Sequence, residues 1–399
     1  MKIAIFTDTF LPQINGIVTS VINLAKGLAD RGHKIYIIAP IFNKKSEEFK
    51  YKNIEVKRTH SVPALFYEDF KFTLPLSPRV TKFLIKKKID LIHFHTPITL
   101  GMEAVLLAKI LRVPLVGTFH TFFTDPQYLK HAKLNNPLFE KIAWTYSNGF
   151  YKKCDLVTTP SVATKKELIK QNCKCKKEIK VISNGIYLDK FDNSKSKRIK
   201  KEYKKEGKFF LFVGRIAHEK NVFFLLDSFR PVIKQEPKTK LLIVGDGPQF
   251  KKLKRKVNEY SLEKNIMLLG KIPHKKLIKS GIYGACDAFI TASKTENQPM
   301  TVLEAQANGL VCIGLNKRGI PDLIKNNING FTTEEKEKEF SEAILKVIRD
   351  DKLVKKMKKA TLKEIENHKM SKIIDTWEEN YKNLIKEKRE TKDLLDLSQ

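Results

Sequence analysis

Two glutamates eight positions apart, Glu296 and Glu304, have the clearest capacity for chemistry in this chain. They lie in Ser293-Lys-Thr-Glu296-Asn-Gln-Pro-Met-Thr-Val-Leu-Glu304-Ala-Gln-Ala-Asn-Gly309. A strand-like run at 286–293 leads in, and 302–308 has helical composition. Glu296 is therefore expected on the loop after a strand, and Glu304 one to two turns into the next helix. At the C-terminal end of a parallel strand, this gathers carboxylates and the exposed N–H groups of a helix start around one crevice. The plainer alternative is two solvated acids beside a helix.

Other ligand-like residues follow the same grammar. Gly214-Arg215-Ile-Ala-His-Glu-Lys220-Asn221 follows a strand and opens a helix. Arg215 offers a planar fork for phosphate oxygens and Lys220 a mobile point charge, both near a helix start that favours anions. A charged loop is the alternative for either alone. Val244-Gly245-Asp246-Gly247 ends the next strand, where glycine permits close backbone approach. The chain lacks a full G-x-G-x-x-G fingerprint, so no nicotinamide or flavin cofactor is expected. Gly16 sits in the loop Pro12-Gln-Ile-Asn15-Gly16-Ile17 after the first strand, where it would let that loop approach the opposite domain. Gly117-Thr-Phe-His120 puts a histidine at another strand end.

The elements that must position these residues are short apolar runs separated by amphipathic stretches. Runs at 3–6, 34–39, 89–95, 114–120, 155–161 and 179–184 fill the first half, and runs at 209–214, 240–247, 265–270, 286–293 and 311–315 the second. A helix is expected over 17–28, with Val18, Val21, Ile22, Ala25 and Leu28 on one face. Continuous apolar strands alternating with helices predict an α/β chain of two Rossmann-like, doubly wound parallel-sheet domains facing across a cleft. The expected divisions are a first domain at 1–192, a charged linker at 193–207, a second domain at 208–369 and a tail at 370–399. Ile373, Trp377, Tyr381 and Leu384 fall at helical spacing in that tail, which is expected to pack back on the first domain.

Composition narrows the class. The 399 residues suffice for two domains, and 42% hydrophobic content with 25 phenylalanines excludes a disordered chain. A formal net charge of +32 calls for an anionic partner. The five cysteines show no pairing or zinc spacing and read as free thiols of a reducing cytosol. The N-terminus runs into a buried strand rather than a signal peptide, and no apolar run reaches the roughly 18 residues of a spanning helix. Any membrane contact is expected to be peripheral.

Taken together, Gly16, Gly117-Thr-Phe-His120, Val181-Ile-Ser-Asn-Gly-Ile-Tyr-Leu-Asp-Lys-Phe191, Gly214-Arg215…Lys220, Val244-Gly-Asp-Gly247 and Glu296…Glu304 resemble family 4 of the retaining glycosyltransferases. That resemblance implies the GT-B architecture and, within the family, is strongest to bacterial monoglucosyldiacylglycerol synthases. It implies transfer of glucose from UDP-glucose to the 3-hydroxyl of 1,2-diacylglycerol. It also implies roles: Arg215 and Lys220 at the donor diphosphate, Glu304 at the ribose, Glu296 and the backbone amides of Asn297, Gln298, Pro299 and Met300 around the hexose, with Thr301 also among the donor-binding residues. His120 would contact the sugar, Gly16 and Gly245 would face the donor, and backbone near Ile272 would receive the uracil. No Asp-x-Asp triplet occurs, so no protein metal site or tightly bound cofactor is expected, although a divalent ion such as Mg2+ could assist.

One segment addresses the acceptor. Residues 64–88 carry Phe66, Phe70 and Phe72, then Ser77-Pro78 as a helix start. Arg79, Lys82, Phe83, Lys86, Lys87 and Lys88 follow. Basic charge beside aromatics is the pattern of an interfacial helix on anionic phospholipid, and a peripheral location on the cytoplasmic face of the cell membrane is the expectation. A core helix with a solvated basic face is the alternative. A phosphoinositide or soluble sugar is the other acceptor class. A nucleic-acid-binding role has only the charge in its favour, because no recognition-helix, zinc-finger or RNP-like signature appears.

Overall fold

The computed structural model describes residues 1–13, 15–42, 49–63, 71–73, 77–120, 137–203 and 206–397. They form two compact units, Met1–Gly185 with Met370–Gln399, and Ile186–Lys369.

The first unit is built on a seven-stranded parallel sheet in the order β3-β2-β1-β6-β7-β8-β9. Its strands are β1 (Lys2–Phe6), β2 (Lys34–Pro40), β3 (Ile54–Thr59), β6 (Leu91–Phe94), β7 (Leu115–Thr118), β8 (Leu156–Thr159) and β9 (Ile179–Val181). A separate antiparallel pair joins β4 (Ser61–Pro63) and β5 (Lys71–Thr73). Ile3, Ala4, Ile5 and Phe6 are all fully buried, so helices cover both faces of the sheet, as parallel strands require. On one face Ala4, Phe6 and Ile38 pack with Val80, Leu84, Leu100, Ala104, Trp144 and Tyr151 from three helices.

The helix Gly16–Asp30 begins where Asn15 Oδ1 accepts the Val18 amide at 3.0 Å. Leu24 joins its buried face, and Ile22 is only half-buried. Against it lies the terminal helix Met370–Leu397, with Ile374 touching Gly27 and Arg31 paired to Asp375 at 2.6 Å and Glu378 at 2.7 Å. Ile373, Trp377, Tyr381 and Leu384 are all buried in this unit, as their spacing predicts.

The second unit carries a six-stranded parallel sheet in the order β12-β11-β10-β13-β14-β15. Its strands are β10 (Phe209–Val213), β11 (Lys240–Val244), β12 (Ile266–Gly270), β13 (Ala288–Thr291), β14 (Val311–Leu315) and β15 (Gly330–Thr333). Two apolar clusters flank it, one around Phe210, Phe229 and Phe340, the other around Phe209, Tyr283 and Phe289. Residues expected as a linker include the helix Ser196–Glu202, tied to this unit where Ser196 Oγ meets Gly281 O at 3.0 Å.

The edge strands β3 and β15 are not among the runs read from sequence. Ile-Glu-Val-Lys-Arg-Thr and Gly-Phe-Thr-Thr are too polar or too short to stand out, because an edge strand needs only one buried face.

A buried acid pair anchors the chain around β5. Asp8, just past β1, accepts Thr99 Oγ1 and the Leu100 amide, each at 2.9 Å, while Thr96 Oγ1 donates at 2.7 Å. Thr99 Oγ1 in turn takes the Thr73 amide at 3.1 Å. Glu103 accepts the Ser77 amide at 3.1 Å, and its second oxygen is buried without a partner. Burial pushes this carboxyl up to about 7, with the Asp8 charge adding to the rise and the Ser77 bond opposing it. A raised carboxyl stabilises the fold fully below its unfolded value and loses that contribution as pH rises through about 7. The Glu103→Gln variant, which keeps the neutral shape, should therefore gain stability over wild type at about pH 8 by at most ~3 kcal/mol and gain little at about pH 5. Melting temperatures of both proteins at the two pH values check this; an equal pH response would contradict it.

Candidate active site

In the second unit the loops leaving β10, β11 and β12 are laced together by backbone. Gly214 N donates to Val244 O at 3.0 Å, Ile216 N to Asp246 O at 3.0 Å, and Gly245 N to Gly270 O at 2.8 Å. Gly245 has φ +150°, and a Cβ there would sit 1.8 Å from Gly214 O. Both the positive φ and this close approach of Gly214 O require glycine there. Arg215 stands exposed just beyond β10.

Lys220 ends the turn His218–Lys220, and its ammonium forms an ion pair with the Glu296 carboxylate. Ser293 Oγ lies 3.3 Å from the same carboxylate and 3.2 Å from Glu219 O. The two side chains are 24% and 20% exposed, so the pair is compensated yet reachable by a ligand. Glu296 O accepts the Gly319 amide at 2.9 Å. A Cβ on Gly319 would lie 1.5 Å from Asn297 O, so the loop after β14 clamps the one after β13. Asn297, Gln298 and Pro299 are buried under that clamp, and Met300 and Thr301, half-buried, open the helix Met300–Ala307. The first-turn N–H groups of a helix have no intrahelical acceptors.

Glu304 lies within that helix and is only 4% exposed. One carboxylate oxygen meets His274 Nε2 at 2.7 Å, and the other accepts the Tyr283 hydroxyl at 2.6 Å. Bonding to this carboxylate raises the His274 pKa against the opposing effect of burial. His274 follows Ile272 by two residues, so the loop after β12 is drawn to Glu304. Nearby, Glu335 pairs with both Lys294 and Lys317 and accepts Asn221 Nδ2 at 3.1 Å.

In the first unit His120 follows β7, and its Nε2 lies 2.7 Å from His95 Nδ1. Burial lowers the His120 pKa to about 4, so the ring is neutral near pH 7. Gly16 opens its helix in an exposed position with no atom within 4 Å of a hypothetical Cβ. Nothing around it demands a glycine, which leaves open space at that helix start.

The basic helix runs Pro78–Lys87, with Ser77 at its N-cap position. Ser77 makes no side-chain cap bond there. Arg79, Lys82, Lys86 and Lys88 are exposed. Lys87 instead pairs with Glu55 at 2.7 Å and lies over the Tyr36 and Phe83 rings. Phe83 packs edge-on against Tyr36, with centroids 5.7 Å apart. These two side chains thus serve the packing of the unit, and Ile85, 53% exposed, is the apolar residue shown among the lysines. Phe66 and Phe70 lie outside the described residues; the backbone of Phe72 pairs with Val62 in the β4–β5 ribbon. Among the described residues, no helix is long and apolar enough to cross a membrane, and no group of three His, Cys, Asp or Glu could hold a metal ion.

Several participants are missing from the sequence reading. His274 and Tyr283 carry no spacing signal, since only the fold brings them to Glu304. His93 and His95 had one: alternate positions at a strand end share a face. The helix Pro137–Tyr151 also shows an exposed stripe of Leu138, Ile142 and Tyr146 at four-residue spacing, opposite Trp144 and Tyr151 of the core.

The comparisons agree with this arrangement. The profile for "Glycosyltransferase Family 4" matches residues 14–190, and that for "Glycosyl transferases group 1" matches 193–364. The alpha-monoglucosyldiacylglycerol synthase of Streptococcus pneumoniae is 30% identical over 83% of this chain and 74% of its own. The enzyme of the same name from Acholeplasma laidlawii is 31% identical over 78% and 80%, respectively. Among solved structures, Anabaena HepE in complex with UDP superposes with a TM-score of 0.77 at 19% identity, over 96% of this chain and all of the other, a likeness of fold. The chain has two Rossmann-like domains of the GT-B class and belongs to glycosyltransferase family 4.

Proposed function

We propose that this chain transfers glucose from UDP-glucose to the 3-hydroxyl of 1,2-diacylglycerol with retention of configuration, working peripherally on the cytoplasmic membrane face. The donor half rests on one observation above the others: Lys220 and Glu296 are paired beside the start of the helix that carries Glu304. The acceptor half rests on the similarity to two monoglucosyldiacylglycerol synthases along most of their length.

In this reading the donor diphosphate takes Lys220 from Glu296, with Arg215 supplying a second cation. Glu296 is then released to accept from hexose hydroxyls, and the Met300 and Thr301 amides at the start of the helix Met300–Ala307 are placed to donate to them, while the Val302 and Leu303 amides are held by Pro299 O. Glu304 already spends one lone pair of each oxygen on His274 and Tyr283. Each oxygen retains a second for a ribose hydroxyl. The Ile272 loop, drawn in through His274, would receive the base. The bond from glucose C1 to the phosphate oxygen breaks as the acceptor oxygen bonds C1 on the same face. The acceptor proton passes to the departing phosphate, so no protein nucleophile is needed. His120, neutral near pH 7, acts as a hydrogen-bonding contact to the sugar rather than as an acid.

Labelled UDP-glucose with diacylglycerol in mixed micelles tests the whole reading. An α-linked glucolipid is expected. Turnover only with another nucleotide sugar would overturn the donor, and turnover only onto a soluble acceptor would overturn the lipid.

Lys220→Ala and Glu304→Gln should each lower kcat/KM by about 2–4 kcal/mol of transition-state binding. Glutamine is the cleaner probe at 304, because alanine would also strand the buried Tyr283 hydroxyl at a cost of about 1–3 kcal/mol in stability. Near-wild-type kinetics with unchanged melting would remove the donor assignment.

Lys82, Lys86 and Lys88 changed together to glutamine should weaken sedimentation with anionic liposomes about a hundredfold, at roughly 1 kcal/mol per charge. Lys87 is left intact because it holds Glu55. Unaltered sedimentation would move the membrane face elsewhere.

A further inference from the structure

We infer that His95 is a positioning residue for His120, setting its tautomer and ring orientation from inside the first unit. The inference rests on the reading of His120 as a contact to the donor sugar.

The two rings lie 18° from coplanar with His95 Nδ1 2.7 Å from His120 Nε2, the geometry of two imidazoles joined by one proton. His95 is buried, and its other nitrogen, Nε2, has no hydrogen-bond partner. A neutral imidazole carries a single N–H. On Nε2 that hydrogen would be an orphaned buried donor, the rarer and costlier kind of unpaired group. On Nδ1 it is donated to His120 Nε2, and only a bare lone pair stays unpaired. His120 then carries its own proton on Nδ1 and donates through that atom.

His95 is itself held from behind. Its ring lies against that of His93, with centroids 4.1 Å apart. His93 is fixed at both nitrogens, 2.7 Å from the Tyr381 hydroxyl and 2.6 Å from Thr118 Oγ1. The latter is 2.6 Å from Thr158 Oγ1. Trp377 packs on the same ring at 5.0 Å. The terminal helix is thus connected to His120 through His93 and His95. Burial, then the neighbouring rings, keeps the His95 pKa well below its ordinary value, so the donor is a neutral imidazole.

Nitrogen-15 NMR of the histidine rings in the wild-type protein reads the tautomer directly. His120 should be protonated on Nδ1 throughout the neutral range, and protonation on Nε2 would overturn the inference. In a His95→Asn variant the side-chain amide nitrogen takes the place of Nδ1 and still donates. In His95→Leu no donor remains. The leucine variant should lose kcat by about tenfold or more, since small misplacements of a contacting group are costly. Its UDP affinity should hold, and asparagine should restore most of the lost rate. Equal losses in both variants would show His95 to be mere packing and sink the idea. If leucine fails to fold, the NMR result and the asparagine variant still decide. If the wild type transfers no sugar, the functional reading fails on that result alone, while the tautomer is still measured.

Discussion

The burial of two parallel sheets on both faces governs everything else in this protein. A strand covered on each side has no solvent for its backbone, so its side chains are apolar and its amides are spent in the ladder. Polar and charged residues are left to the strand ends and the loops that leave them. Phe209–Val213 exposes almost nothing, and the next residues are Gly214 and Arg215. Leu115–Thr118 is buried throughout and is followed by Phe119 and His120. Each sheet therefore delivers polar and charged residues at the carboxyl ends of its strands, where open α/β sheets place their ligand sites.

The second constraint is charge compensation in partly dry surroundings. A half-buried ammonium or carboxylate left alone would cost several kcal/mol. Lys220 and Glu296 neutralise one another, Glu304 is held by His274 and Tyr283, and Glu335 collects two lysines. The first unit treats its acids differently. Asp8 is surrounded by hydroxyl and amide donors, and Glu103 sits so deep that its carboxyl is pushed up to about 7. There the hydrogen bonds hold the segments around Thr73 and Ser77, at the entrance to the basic helix.

The excess of positive charge, +32 over the chain, acts at longer range. Among the described residues its exposed lysines are spread over many helices. A field of that sign attracts anionic species in general, and is screened within about 8 Å at physiological salt. It bears on association and says little about fold.

How much was legible from the residues follows from the range of the forces involved. The eleven apolar runs, the two parallel sheets, the returning terminal helix and the placement of Glu296 and Glu304 are local consequences of composition and period, and the structure has them. The edge strands β3 and β15 escaped because one-sided burial leaves a weak pattern. Tertiary contact alone decided that Glu304 meets His274 and Tyr283, across 30 and 21 residues. It likewise drew Phe83 and Lys87 into packing with Tyr36 and Glu55, and aligned His93 and His95 behind His120. Periodicity fixes which face a side chain takes on its own element. Which partner waits opposite that face depends on how distant segments close together, and no local spacing encodes it.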